Sequence, residues 1–186
     1  MLTSIAQKLL SYQKADVFLP NFYSNAPSAT FLPIKGCLGT ERWGGLNFGG
    51  FPLEVKSSLV ESGSSASIGI VFGTGTTPPT ENDYTVENII SGLTLSATPT
   101  KQYSFDSATN KYTVFYDFTL ANGTGEDITI NEVCLFANVF PTSTKGENPG
   151  TGTSNKFAVL MDRTVLATPI TIPANSSGVV RYSMIY

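Results

Sequence analysis

The sequence predicts an all-β protein, an antiparallel two-sheet β-sandwich of immunoglobulin-like or jelly-roll kind over residues 61–186. Residues 1–60 precede it as a short N-terminal helix and an extended arm rich in glycine, proline and aromatics. Three observations point there. The 23 Thr, 19 Ser and 12 Asn, with 17 Gly and 11 Pro, are the residues of strands and tight turns rather than of helices. Short apolar segments with period-two alternation recur from residue 67 onward at spacings of about 8 to 15 residues. Turn sequences built on Gly, Pro, Asn and Asp separate them. A length of 186 residues suits one core with an extension, and no repeat of fixed period is visible.

Taken in order, residues 1–13 place Leu2, Ile5, Ala6, Leu9 and Leu10 on one helical face, and Ser4 with Gln7 has capping-box spacing. This stretch lacks the continuous apolar run of a signal peptide, and no uncharged apolar stretch reaches 18 residues, so neither secretion nor membrane insertion is expected. Cys37 and Cys134 are then expected to be free thiols in a reducing compartment.

Residues 14–60 interleave Phe18, Phe22, Tyr23, Phe31, Trp43, Phe48 and Phe51 with Pro20, Pro27, Pro33, Pro52 and six glycines. Proline and glycine at that density argue against a long helix or a regular central strand, while the rings are too many for a solvated tail. An extended, buried arm is expected, packed on its own domain or on neighbouring copies. Burial of several rings, at about 1.5–3 kcal/mol each, offsets the entropy of ordering it. Its assembly residues are Leu2, Ile5, Leu9, Phe18, Phe22, Tyr23, Phe31, Trp43, Phe48 and Phe51.

Strands follow. Residues 67–72 read as a short strand that stops at Gly73-Thr74-Gly75-Thr76-Thr77-Pro78-Pro79. Residues 103–106 and 111–120 flank Ser107-Ala108-Thr109-Asn110, a four-residue hairpin loop, and the second strand alternates Tyr112, Val114, Tyr116, Phe118 and Leu120 on one face. In residues 127–138 the apolar set moves from even positions (Ile128, Ile130) to odd ones (Val133, Leu135), which predicts a β-bulge near Asn131 or Glu132. A polar loop over 141–156 precedes strands at 157–166, 170–172 and 179–186.

The chemistry-bearing residues are few. With no histidine, the chain alone supplies no Ser-His-Asp or Cys-His catalysis and no His-ligated metal. A net charge of −3 provides no basic field for nucleic acid or anionic membrane. Gly73-Thr74-Gly75 follows a strand as phosphate loops do, but Pro78-Pro79 stands where a helix would have to begin. Glu81, Asp83 and Glu87 match no calcium loop and read as solvated charges. Asn122-Gly123-Thr124 and Asn175-Ser176-Ser177 match the glycosylation sequon and read as turns. Asp162-Arg163 interrupts an apolar strand, as an outward ion pair between strands or as an intersubunit salt bridge. No catalytic residue, cofactor or metal is expected.

Three blocks carry a resemblance. They are residues 70–84 (IVFGTGTTPPTENDY), 122–136 (NGTGEDITINEVCLF) and 160–166 (LMDRTVL) followed by Pro169-Ile170-Thr171-Ile172-Pro173. In this order they resemble segments of small structural proteins of tailed bacteriophages; Cys134 stands where those carry another small residue. The resemblance implies a virion component of tail, neck or capsid surface, assembled in the host cytoplasm, with no catalytic residues. Together with the sticky arm it predicts a non-enzymatic subunit forming a symmetric ring or collar with copies of itself and other virion proteins. A capsid decoration or fibre-anchoring protein is the near variant. A carbohydrate-binding module for host attachment, with Trp43 in its platform, is the rival of another class.

Overall fold

The computed structural model describes residues 32–49, 54–63, 66, 69–142 and 156–185. Among them there is no helix, and ten strands form two largely antiparallel sheets: β1 (Leu32–Lys35), β2 (Glu41–Gly49), β3 (Val55–Lys56), β4 (Gly69–Gly73), β5 (Leu93–Leu95), β6 (Thr100–Asp106), β7 (Lys111–Asn122), β8 (Ile128–Thr142), β9 (Phe157–Ile172) and β10 (Ser177–Ile185). The six-stranded sheet is centred on β8, with β9 along one side and β4 and β2 in succession along the other, β3 and β1 lying beyond them. In the four-stranded sheet β7 is central, with β10 on one side and β6 and β5 on the other. The expected N-terminal helix lies outside the described residues.

The β6–β7 hairpin closes with Asp106 opposite Lys111, around the four residues expected. Asn110 takes the left-handed conformation (φ 53°) that such loops need, and Asp106 accepts from the Ala108 N–H and the Thr109 hydroxyl. Along β7 burial alternates from Val114 to Asn122, as the period-two pattern requires.

Part of residues 14–60 is strand, though not a regular one. β2 is an internal strand, between β1 and β8. Its glycines are absorbed by irregularity: β2 takes four steps from Gly45 to Gly49 while β8 takes two from Phe140 to Asn138. Pro33 sits in β1, the edge strand, where a missing N–H is tolerated. Thus 32–49 and 55–56 pair with the chain's own sheet.

A large buried cluster draws on both sheets. Ile70 and Phe72 of β4, Val133 and Leu135 of β8, and Val159 and Met161 of β9 join Val114, Phe118 and Leu120 of β7 and Val180 and Tyr182 of β10. The Phe72 and Phe118 rings meet edge to face at 6.4 Å. The intervening residues of the six-stranded sheet, Val71, Cys134, Phe136, Ala158 and Leu160, enter a second cluster with Cys37, Ala66 and Val86 from the loops over its other face. Burial on both faces explains why β8 and β9 carry unbroken apolar runs.

Candidate functional site

Two irregularities in the β8–β9 ladder build the charged site. Register shifts between Ile130 and Glu132, where the parity switch predicts it; β9 takes five steps there, from Ile170 to Val165, with Pro169 among the extra residues. A second shift sets Met161 as an extra residue between the partners of Leu135 and Phe136, so the predicted strands at 157–166 and 170–172 are one irregular strand. Beyond this second bulge Asp162 accepts the Tyr182 hydroxyl at 2.8 Å, on the side of the four-stranded sheet. Arg163 falls on the opposite face with Glu132.

Arg163 is the hub of a network within the chain. Its Nε donates to Glu132 Oε2 at 2.8 Å, Nη1 to Asp83 Oδ2 at 2.9 Å and Nη2 to Glu87 Oε2 at 3.3 Å. The Arg163 residue is 4 % exposed and Glu132 0 %, so the outward ion pair expected from sequence is instead buried. Glu132 Oε1 in turn accepts backbone N–H groups from Gly75 (3.2 Å), Glu87 (2.9 Å) and Asn88 (3.3 Å). The Asn131 amide donates to the Thr74 carbonyl. Loop 74–90 is thereby tied to β8 and β9.

The Gly73-Thr74-Gly75 motif acquires its reason here. A Cβ on Gly73 would stand 2.3 Å from Glu132 Oε1, and one on Gly75 2.5 Å, closer than real Cβ contacts come. The glycines let bare backbone cradle an anion, and that anion is the chain's own carboxylate rather than a phosphate.

Three carboxylates on one guanidinium leave an excess of negative charge, offset by further donors. Thr80 gives Asp83 its N–H and hydroxyl, and Thr77 does the same for Glu87. Partial burial pushes the Asp83 carboxyl upward, but Thr80 and Arg163 outweigh it and hold it below its ordinary value. Thr77 first, then Arg163, lowers Glu87. Burial works against the Arg163 charge, and Glu132 and Asp83 more than restore it, raising its pKa. Burial, then the Glu61 charge, pushes the Cys37 thiol up to about 12. Burial, then Glu132, pushes Cys134 well above its ordinary value. Among the described residues no group of His, Cys, Asp and Glu is placed to hold a metal ion, and no buried side-chain polar atom lacks a partner. This arrangement acts as a lock, with its charges spent on one another.

A second region is left open. Lys101, Tyr103 and Phe105 of β6 stand opposite Tyr116, Val114 and Tyr112 of β7, and so share the face that carries the core residues Val114 and Tyr116. Yet Tyr103 is 68 % exposed, Phe105 49 % and Tyr112 57 %. The Phe105 and Tyr112 rings lie 4.5 Å apart, and Lys101 Nζ sits 5.0 Å from the Tyr103 ring. Among the described strands β6 pairs only with β7, and its other edge has no described strand beside it.

Of the residues singled out from sequence, Leu2, Ile5, Leu9, Phe18, Phe22, Tyr23, Phe31 and Phe51 lie outside the described residues. Trp43 and Phe48 are positions of β2. Asp162 and Arg163 point to different faces and are both engaged within the chain. Asp83 and Glu87, read as solvated, are counter-ions of Arg163. Asn122 of the first sequon is 1 % exposed, its amide donating to the carbonyls of Glu126, Ile172 and Pro173, so it organises a turn. Sequence reasoning passed over Glu132 and the Tyr103, Phe105 and Tyr112 face. The signal for the first was a lone acid, Glu132, at the head of the apolar run of residues 133–137, matched by a lone Arg just past the apolar run of residues 157–161.

No protein-family model, curated protein or solved structure matches the chain.

Proposed function

We propose that this chain is a non-enzymatic structural subunit of a tailed-phage virion, a β-sandwich of immunoglobulin-like or jelly-roll kind that forms a symmetric ring or collar in the tail or neck. It does so with copies of itself and other virion proteins, through the sandwich and the N-terminal arm. One observation carries the assembly reading: a core-facing sheet surface bearing Tyr103, Phe105 and Tyr112 is exposed, beside a strand edge that no described strand pairs. Exposed rings on an inward face are surface that association would bury. The virion assignment is supported by the three resembling blocks. They meet in space, since Asp83 lies in the first, Glu132 in the second and Arg163 in the third, so what they share is the lock of loop 74–90 to the sheet. Capsid decoration or fibre anchoring is the variant with the same chemistry.

Sedimentation velocity of the full chain over a hundredfold concentration range tests the reading, roughly spanning 1 to 100 μM, where subunit affinities fall. A single species of several subunits is expected, and a monomer throughout overturns it. The exposed rings also favour one other reading, a carbohydrate-binding module, because ring faces stack on sugars. Glycan binding lost on Tyr103→Ala, in a chain that stays monomeric, would establish that reading instead.

A further inference from the structure

Resting on that assembly reading, we propose that the core-facing side of the β6–β7 hairpin is the seat for residues 1–31 of a neighbouring copy. The apolar side chains of that segment lie against Tyr103, Phe105 and Tyr112, in the place that an opposing sheet would fill.

The seat is defined by a discontinuity within one strand face. From Val114 to Leu120 the even residues of β7 are buried, and Tyr112, next in the series, is 57 % exposed. On β6 the residues sharing that face, Tyr103 and Phe105, are as open. The hairpin therefore continues the core pattern beyond the point where the rest of the described chain covers it.

Position then selects the occupant. Asn122 bonds the Ile172 carbonyl, and Tyr182, level with Tyr116, bonds Asp162, so moving down β7 follows β9 back toward Phe157. Phe157 pairs with Val139, three residues short of the end of β8. At that same end Pro141 pairs with Gly44 and Gly44 with Leu32. Leu32, where the described chain begins, thus sits at the end of the molecule where the open rings lie.

Chemistry selects it again. Residues 1–31 carry Leu2, Ile5, Leu9, Phe18, Phe22 and Tyr23 against three charges only, Lys8, Lys14 and Asp16. Extended, a segment of this length reaches on the order of 100 Å, enough to cross to an adjacent subunit. The edge of β6 that no described strand pairs offers backbone donors and acceptors to an extended strand, as in strand addition. Burial of two or three rings against such a segment supplies the contact that a lone monomer forgoes.

A photo-crosslinker at the seat tests this in the full chain. Tyr103→p-benzoylphenylalanine is made in unlabelled and ¹⁵N-labelled protein, the two are unfolded, mixed and refolded together, and crosslinked peptides are read by mass spectrometry. Peptides from residues 1–31 joined to the Tyr103 peptide with mixed labels are expected. Unmixed labels alone mean that each chain covers its own face and overturn the exchange. Crosslinks only elsewhere, or none, in a chain that still sediments as an oligomer overturn the seat while leaving the assembly reading intact. A monomer at every concentration removes the assembly reading and this inference with it. As a second variant, the double substitution Tyr103→Ser, Phe105→Ser on exposed positions is expected to weaken association roughly tenfold or more per ring, with thermal unfolding of the monomer unchanged. Unaltered association in that variant also overturns the seat.

Discussion

The outer face of the six-stranded sheet and the hairpin end of the four-stranded one treat their side chains in opposite ways. On the first, charges are drawn in and saturated: Arg163 and Glu132 are buried, and loop 74–90 closes over them with hydrogen bonds from its own backbone. On the second, aromatic rings sit on the inward face and remain in water. The first region is complete within one chain, because among the described residues no buried side-chain donor or acceptor lacks a partner. The second leaves Tyr103, Phe105 and Tyr112 exposed on the face that elsewhere carries the core. If association uses the second region, as proposed, stability and association reside in different parts of the molecule, and substitutions should separate them.

The largest effect is expected at the hub. Arg163→Met keeps much of the volume but leaves Glu132 buried opposite no cation, with Asp83 and Glu87 beside it. Breaking a buried pair in this way costs about 3–5 kcal/mol, to be read as a lowered midpoint in urea denaturation of the full chain. If Arg163→Met instead unfolds at the wild-type midpoint, the network is ornamental and the contrast between the two regions fails. Next comes the cradle. Gly75→Ala sets a Cβ against Glu132 and Glu87, where the ideal position is 2.5 Å from each. Overpacking of this kind costs about 1–3 kcal/mol, and faster amide exchange should appear in loop 74–90 before the strands of the hairpin.

Acid sharpens the same comparison. Asp83 and Glu87 are held below their ordinary values in the folded chain. Their contribution is therefore fully present above the usual carboxylate range of about 4 and is lost as pH falls through it and below. Arg163→Met removes one of the causes that lower these two carboxyls while the Thr77 and Thr80 bonds remain, so the variant has less of this stabilisation to lose on acidification. The gap in stability between wild type and variant should narrow between pH 7 and pH 3, read from urea midpoints at each pH. A gap that widens on acidification would mean that Arg163 does not hold these carboxylates.

Much of the sheet was legible because period-two alternation reports a strand with one face in water. β7 shows this from Tyr112 to Leu120, and the switch of parity after Ile130 marks in the sequence the irregularity found between Ile130 and Glu132. Where a strand is buried on both faces the alternation vanishes, and nothing in residues 157–161 signals where the bulge at Met161 will turn Asp162 and Arg163 apart. The lock was unreadable for a different reason. Its four ionic members come from three distant stretches, and an acid in a loop looks the same from sequence whether it meets water or a guanidinium. The glycines gave half the answer: Gly73 and Gly75 did mark an anion cradle, but local sequence cannot say that the anion arrives from residue 132. Glycine density correctly argued against a regular strand in β2 but did not show that irregular pairing lets an internal strand keep its glycines.

The smallest effect is expected where the same two residue types meet in water. Arg181 binds Asp117 through both carboxylate oxygens, at 2.6 and 2.8 Å, on the outer face of the four-stranded sheet, geometry at least as good as that of Arg163. Its side chain is 53 % exposed against 5 % for Arg163. Arg181 is open to water and Asp117, its side chain 16 % exposed, lies beneath it at the surface, so removal of the guanidinium uncovers the carboxylate to water rather than stranding it, and salt screens their attraction. Arg181→Ala should leave the urea midpoint within measurement error of wild type, and high salt should not change that result. A loss approaching that of Arg163→Met would show that pairing geometry, rather than burial with its stranded partner charge, sets the worth of an ion pair in this fold.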